Sequence, residues 1–556
     1  MRRTILAVAA LALVLSSSHR GAEAAGPVRS SMPNVPSISI TGTSSPATSG
    51  GGIEWPDGQG LPTFARPRHL HVVDVLDAPG DEQMLYATLQ GVINRRRPRI
   101  FLIQDPRENE RGRFWLRHLD VPFTVHTKPS ELLDRFGSEV RGSIVYDPEV
   151  PDTINLATTL AGLRRGVVAT PDLADMLEAR FGLPVLEDLR GRFTDAIDVY
   201  SWQYEHLWPR TTHRMLIGIP PLSEGEPFGA LRDYAVANRA MVFWLDPNVA
   251  VQANLLERIL SELEPNTPYL GWFAQDVAGE ASGVQIASEH SVYVLPADWF
   301  KNMTVFSGRC CRNMPDRRVL ATPPLENQIY VTFSFYDGDN LQYDEQSMRG
   351  IWDNPDRGEV PINWTISPLL WDAAPAILRY YRETASANDL LIAGVSGAGY
   401  ASPTAWPDST FHLFTEQSAT YMDRAGMDIV WVANVVDGQH REMSEAEAQA
   451  YIDDVDPLGI MLTAWPSPIE TTILNLSTPQ STVWVIASVA QAQEVIAASA
   501  VAWDGASPLF LSIGVSPWDM SPSDIVEIAD SLGPEYTVVR ADQYFELVRE
   551  AFGLAS

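Results

Sequence analysis

Cysteine is nearly missing from this chain. Of 556 residues only Cys310 and Cys311 carry a thiol, and they are adjacent. The pair is either a strained vicinal disulfide or two reduced thiols in a loop. A metal site there would find no further cysteine, and His290 and His412 lie far away along the chain. Basic residues are also in short supply, with 40 Lys and Arg against 70 Asp and Glu and a formal charge of −30. Such a surface repels a phosphate backbone, which argues against nucleic-acid binding. It suits a soluble protein acting on a neutral or cationic substrate. Beyond the N-terminus no stretch approaches the ~20 continuous apolar residues of a membrane helix, so no stable membrane anchor is expected. There is no fixed-period repeat. The glycine-rich run Ser396-Gly397-Ala398-Gly399-Tyr400 lacks a third glycine and a following lysine, so it is not a nucleotide loop. Its serine is not in a Gly-x-Ser-x-Gly elbow either.

What is present begins with a secretory leader. Arg2 and Arg3 form the positive region, Ile5–Leu15 the apolar core, and Ala22-Glu23-Ala24 a small-x-small cleavage site. Residues 1–24 are therefore read as a signal peptide and the mature protein as secreted. No cysteine follows the cleavage site, so a lipid anchor is not expected. Residues 25–67 are rich in Gly, Ser, Pro and Thr and read as a flexible linker. Hydrophobic residues make up 45% of the chain, a normal globular share, and the length calls for more than one domain.

From His69 the pattern is α/β, and three small units are expected at 68–140, 141–212 and 213–300. In the first, His69–Val75 and Arg99–Ile103 read as strands around a helix over Glu82–Asn94. His69 and His71 share one strand face, a pairing that is more often structural than metal-binding. In the second, Trp202, Tyr204 and Trp208 could stack on sugar rings, but their near-helical spacing favours a core role. In the third, Gly271-Trp272-Phe273 with Asp276 and Glu280 is expected in a loop facing the main domain. Three glycosylation sequons, at Asn302, Asn363 and Asn475, carry little weight because the pattern is short.

From about residue 325 to 556 strands and helices alternate. Eight strand-like runs start near residues 330, 363, 390, 428, 459, 483, 508 and 536, separated by helix-like segments. That alternation argues a parallel sheet, and eight candidates in this length fit a βα barrel, regular or distorted. The runs lead into Asp337/Asp339/Asn340, Trp371/Asp372, Tyr400, Asn434/Asp437, Trp465 and Trp518/Asp519. In a barrel these loops converge on one face, and acids mixed with aromatics are what a sugar site needs. The bland alternatives are plain. Asp337-Gly338-Asp339-Asn340 is also turn chemistry, or a calcium site made of closely spaced oxygens. Asp437-Gly438 also reads as a simple turn, and Trp465 and Trp518 as rim packing.

Gly397-Ala398-Gly399-Tyr400-Ala401-Ser402-Pro403 resembles the signature of the GxGYxYP glycoside hydrolase family. Asp337-Gly338-Asp339-Asn340 after a strand is similar to that family's acidic motif, and Leu89-Gln90-Gly91-Val92-Ile93-Asn94-Arg95 looks like the start of its N-terminal region. At Ser402 the family has Tyr, so an aromatic wall is expected to be missing here. The resemblance implies a secreted carbohydrate-active protein. On this reading Asp337, Asp339 and Asp437 are the catalytic candidates, and Asn340, Trp371, Asp372, Tyr400, Trp465 and Trp518 bind substrate. Asp337 and Asp339 should repel, raising the pKa of one of them into the range of a general acid. No metal and no other cofactor is required, and the oligomeric state stays open. Two alternatives remain. Val331–Asp339 loosely resembles the first strand motif of polysaccharide deacetylases, although no His-x-x-x-His ligand pair accompanies it. A non-catalytic carbohydrate-binding protein would keep the same fold.

Overall fold

The computed structural model describes residues 52–104, 113–275, 282–308, 314–463 and 468–554. The expected leader, residues 25–51 of the expected linker, Cys310 and Cys311, Asp276, Glu280 and Trp465 lie outside the described residues.

Three small parallel sheets come first. Leu70–Asp74 is flanked by Ile100–Ile103 and Phe123–His126. Ser143–Val145 is flanked by Val167–Ala169 and Val185–Asp188. The third sheet runs in the order Val242–Phe243, Leu216–Gly218, Thr267–Gly271, Val292–Leu295. Parallel pairing follows from the connections, because a crossover helix returns the chain to the end from which it left. The helix Gly80–Asn94 buries Leu85, Leu89, Val92 and Ile93 and also Gln90 and Asn94. Buried amides need partners, and both side-chain N–H groups find them, while Gln90 Oε1 has none among the described residues. Gln90 Nε2 donates to Asn302 Oδ1 at 2.8 Å and Asn94 Nδ2 to Thr304 Oγ1 at 2.9 Å, which pins the first unit to the end of the third.

Residues 52–67 are packed, not free linker. Glu54 and Thr63 form an antiparallel bridge and Phe64 a parallel one with Gly308. Leu61 and Phe64 are fully buried. Two apolar anchors in a stretch otherwise rich in Gly and Pro suffice to fold it onto the core, and composition alone hid them.

The last unit is a distorted βα barrel. Seven parallel strands close a ring in the order Ile329–Phe335, Ile362–Ile366, Asp389–Ala393, Ile429–Val432, Gly459–Thr463, Thr478–Ile486, Leu509–Val515 and back to the first. The eighth strand, Tyr536–Val538, is not inserted between seventh and first, which pair along all of Ile329–Phe335. It pairs with Ile329–Val331 on the other edge, while Ser334 and Phe335 on that same edge pair with Asn363 and Trp364. The barrel is thus closed at its C-terminal rim and wedged open at its base. The outward residues of the first strand, such as Val331 and Phe333, join the helices in one core. The inward residues Tyr330, Ile392, Trp431, Met461 and Phe510 meet Tyr544, Phe545 and Val548 of the C-terminal helix Ala541–Ala551. That helix fills the base of the barrel, which leaves the C-terminal rim as the end where a ligand can enter.

Candidate active site

The first barrel strand ends at Phe335, and the chain then folds over its neighbours. Asp337 takes a left-handed backbone, φ 84°, a conformation that Asp tolerates better than most residues. The Gly338 N–H donates to Thr365 Oγ1 at 2.9 Å, and that hydroxyl donates to the Phe335 carbonyl at 2.9 Å. A β-carbon on Gly338 would stand 2.1 Å from the Thr365 carbonyl carbon. The Asp337–Asp339 segment therefore lies across the ends of the second and third strands. Asp337 is half-buried and Asp339 buried.

Asn340 opens the helical stretch that follows. Its Oδ1 accepts the Tyr343 N–H at 3.1 Å, and its Nδ2 donates to Asp337 Oδ2 at 3.3 Å. The side chain expected to hold substrate instead caps a helix and steadies Asp337. Both ends of its amide are thus engaged within the loop.

The next turn is a π-helix, Tyr343–Ser347, a form that recurs at functional sites. It carries Asp344, which no sequence pattern singled out. Asp344 is fully buried. Its Oδ2 accepts the Ser367 N–H at 3.3 Å, and its Oδ1 has no hydrogen-bond partner among the described residues. Burial pushes its carboxyl well above the ordinary carboxylate range, and the charges of Asp339 and Asp337 push it further. A raised carboxyl was expected within the Asp337–Asp339 pair, and the structure puts one directly behind it. Tyr343, beside Asp337, Asp344 and Tyr336, is likewise raised, first by burial and then by those groups. Its ring lies 5.7 Å from that of Trp518, which is 47% exposed. Behind them, Tyr336 stands 6.4 Å from Trp431, whose Nε1 donates to Thr463 Oγ1 at 2.7 Å.

The other candidate residues fall elsewhere. Asp372 is buried and accepts a hydrogen bond from the Tyr421 hydroxyl, which in turn accepts the Gly60 N–H at 2.8 Å. That carboxylate ties the N-terminal segment to the barrel. Trp371 is half-buried against the same core. Asp437 is exposed at the tip of a two-residue hairpin between Val435–Val436 and Gln439–His440. Asp437 and Gly438 have φ of 54° and 67°, the pattern of a type I′ turn, for which Asp-Gly is a preferred sequence. The turn accounts for this residue.

Tyr400 is buried, and its backbone pairs with Val294 of the third unit through Val294 N–H to Tyr400 O at 2.9 Å and the reverse at 2.8 Å. A β-carbon on Gly397 would stand 2.5 Å from Ser418 Oγ, and one on Gly399 2.5 Å from the Tyr293 ring. The glycine-rich segment is thus the seam where the barrel meets the third N-terminal unit. Ser402 is also inside this seam, its hydroxyl donating to the Val435 carbonyl at 2.8 Å. It is a packing position, not the place of a lost aromatic wall.

The N-terminal units hold the rim. Trp115 Nε1 donates to the Glu345 carbonyl at 2.7 Å, the Lys301 N–H to Glu345 Oε2 at 3.0 Å, and the Leu341 N–H to the Pro296 carbonyl at 2.9 Å. All three grip the helical stretch that carries Asp344. Trp208 is buried, donating from Nε1 to Glu262 Oε2 at 2.6 Å, and Trp202 and Tyr204 pack against the second core. Phe273 stacks on Tyr269 at 4.5 Å inside the third unit and does not face the barrel from a loop. His71 Nδ1 lies 2.9 Å from His126 Nε2, and His126 Nδ1 lies 3.1 Å from Glu131 Oε2, a chain of side-chain hydrogen bonds. Burial, with help from Arg135, lowers the His71 pKa to about 4. Among the described residues no group of three or more His, Cys, Asp or Glu is arranged to hold a metal ion, and no helix is long and apolar enough to cross a membrane.

Four family models match consecutive stretches of the chain. They are "GxGYxYP_N 1st domain" over residues 69–138, "GxGYxYP_N second domain" over 140–211, "GxGYxYP third domain" over 216–308 and "GxGYxYP putative glycoside hydrolase C-terminal domain" over 327–549. A solved structure described as a "putative hydrolase" from Bacteroides thetaiotaomicron superimposes with a TM-score of 0.76 at 22% identity, over 88% of this chain and 96% of that one. At that identity the likeness shows a shared fold. A "putative polysaccharide deacetylase" from Mycobacterium smegmatis gives a TM-score of 0.29 at 13% identity, over 44% of this chain and 97% of that one, too little to argue from. No curated protein matches the chain.

Proposed function

The chain belongs to the GxGYxYP family, and from that premise we propose that it is an exported glycoside hydrolase that cleaves a poly- or oligosaccharide with carboxyl groups at the barrel rim. The observation that carries the reading is the acid cluster beside aromatic rings, with Asp337 and Asp339 over the strand ends and Asp344 behind them. Glycosidic cleavage needs one carboxyl to protonate the leaving oxygen and a second carboxylate to act as base or nucleophile. Asp339 is the first candidate for the acid. The Asp344 carboxyl behind it is pushed well above the ordinary carboxylate range by burial and then by the charges of Asp339 and Asp337. Asp337, nearer solvent, serves as the second carboxylate in place of Asp437, whose exposed hairpin tip is explained by its turn. Trp518 offers the face on which a pyranose ring stacks. Export rests on the leader-like first 24 residues.

The test is a polysaccharide panel incubated with the purified chain, with and without a chelator. Chelator-resistant release of reducing sugar is expected. Chelator-sensitive release of acetate would favour the deacetylase reading, and binding without turnover would favour a carbohydrate-binding protein.

A further inference from the structure

Arginine is densest along this acidic chain at one turn. The turn after the helix Gly80–Asn94 reads Arg95-Arg96-Arg97-Pro98-Arg99. Two of these arginines serve the fold. Arg95 donates from Nε to the Ala237 carbonyl at 3.0 Å and from a terminal nitrogen to the Gly162 carbonyl at 2.7 Å, and Arg99 pairs with Glu139 at 2.7 Å. Arg96 and Arg97 do neither. Among the described residues none accepts a hydrogen bond or an ion pair from either guanidinium, and the same holds for Arg66 and Arg68.

These unpaired groups line two concavities on either side of the turn. Arg66, Arg68 and Arg97 open into a cavity of about 360 Å³ walled by Pro67, Val121 and Pro122, with Asp120 as its one carboxylate. Arg96 opens into a second of about 390 Å³, shared with Arg239 and walled by Ile53 and Trp55. In a protein of charge −30, arginines could readily have been paired with carboxylates. Leaving three together without partners costs self-repulsion that a bound anion would relieve. Guanidinium groups bind oxyanions through paired N–H donors, and Arg suits carboxylate and sulfate better than Lys does. Two such concavities flanking one turn fit a chain with repeated charges better than a single ion.

We propose that this face, outside the barrel rim, binds an acidic glycan, a sugar chain bearing sulfate or carboxylate groups, with its charged groups in the two arginine-lined concavities. The choice of a glycan over another polyanion rests on the carbohydrate reading of the barrel; the anion site itself does not.

The test is titration of the full chain with a sulfated heparin hexasaccharide, a hexamer of galacturonic acid, a neutral hexasaccharide and a single-stranded DNA hexamer. Binding of an acidic hexasaccharide is expected, with a Kd that rises roughly 20-fold from 50 to 200 mM salt, as neutralising about three anionic charges at a slope of about −0.7 each implies. The variant R66Q/R68Q/R97Q should weaken binding tenfold or more while its melting temperature holds, since Arg66 and Arg68 are exposed, Arg97 is half-buried and none of the three pairs with a described residue. If that variant does not fold, R96Q in the second concavity and the salt slope of the unaltered protein serve instead. Equal affinity for the neutral hexasaccharide, an absent salt slope or unchanged binding by the variants would overturn the anion site. Equal affinity for the DNA hexamer would overturn the glycan and leave a general polyanion site. Asp339→Asn should leave this binding intact, so failure of the barrel chemistry and failure of this site are told apart.

Discussion

Gly394 lies so close beneath Asp339 that a β-carbon on it would stand 2.6 Å from the Asp339 nitrogen. The third barrel strand thus sets the height at which the first strand's acidic loop crosses the rim. Gly394→Ala cannot be absorbed by a side-chain rotation, because the atoms it meets are backbone. Overpacking of this kind costs ~1–3 kcal/mol of stability. It should also lift Asp339 out of register, and misplacement by about 1 Å can cost on the order of 10²-fold in rate. The expected variant is folded, with a modestly lowered melting temperature and turnover reduced tenfold or more. Full turnover would show that the loop's position is irrelevant to the chemistry.

Asp339→Asn keeps the shape of the side chain and removes its proton chemistry. A loss of about 10²-fold or more in kcat with sugar binding largely retained is expected, as for a general acid or base. Because Asp337 is the proposed second carboxylate, Asp337→Asn should cost a similar factor, and a milder loss would leave Asp337 only the bond it accepts from Asn340 Nδ2. Comparison of kcat and KM for the two variants on one oligosaccharide decides between them, and unchanged turnover in Asp339→Asn would move the site elsewhere.

Asp344 makes a prediction about pH. Its folded pKa is raised well above 3.8 by burial and by its acidic neighbours. A group raised on folding contributes stability that is fully present below its unfolded pKa and is lost as pH climbs through the folded value. The unaltered protein should therefore lose melting temperature progressively as pH rises from about 4. Asp344→Asn stays neutral at every pH and should flatten that part of the profile. Parallel slopes for the two proteins between pH 4 and 8 would mean that Asp344 is ionised in the fold.

The barrel was legible because its evidence is periodic. Short apolar runs separated by helix-length segments gave strands near residues 330, 363, 390, 428 and 459, and those strands form. The distortion was not legible, since only pairing shows that Tyr536–Val538 and Ile362–Ile366 share one edge of the first strand. The C-terminal helix Ala541–Ala551 went unread although it plugs the barrel base. At the site, Asp337 and Asp339 stood out because they follow a strand directly. Asp344 did not, because the helical stretch that carries it was not read. The available clue was a cap: Asn340, a good N-cap residue, stands three positions before Tyr343, whose N–H it accepts. Tyr400 misled for the opposite reason. A glycine-rich motif at a strand end reads as a ligand loop, yet close approach of two protein segments demands glycine just as strictly.

That last point can be tested at the seam. A β-carbon on Gly399 would meet the Tyr293 ring at 2.5 Å, and Tyr293 is itself fully buried between the third unit and the barrel. The ring is held by Phe414, 5.9 Å away, and cannot swing aside without opening the core. Gly399→Ala should therefore part the two units slightly, at a cost of ~1–3 kcal/mol. If the segment is a seam, the loss appears as a lower melting temperature, while the folded fraction keeps its turnover per molecule. Tyr293→Ala should relieve the clash, so the double variant should be more stable than the sum of the single effects predicts. If the segment is instead a substrate loop, Gly399→Ala raises KM with little change in melting temperature, and no second substitution at Tyr293 restores it.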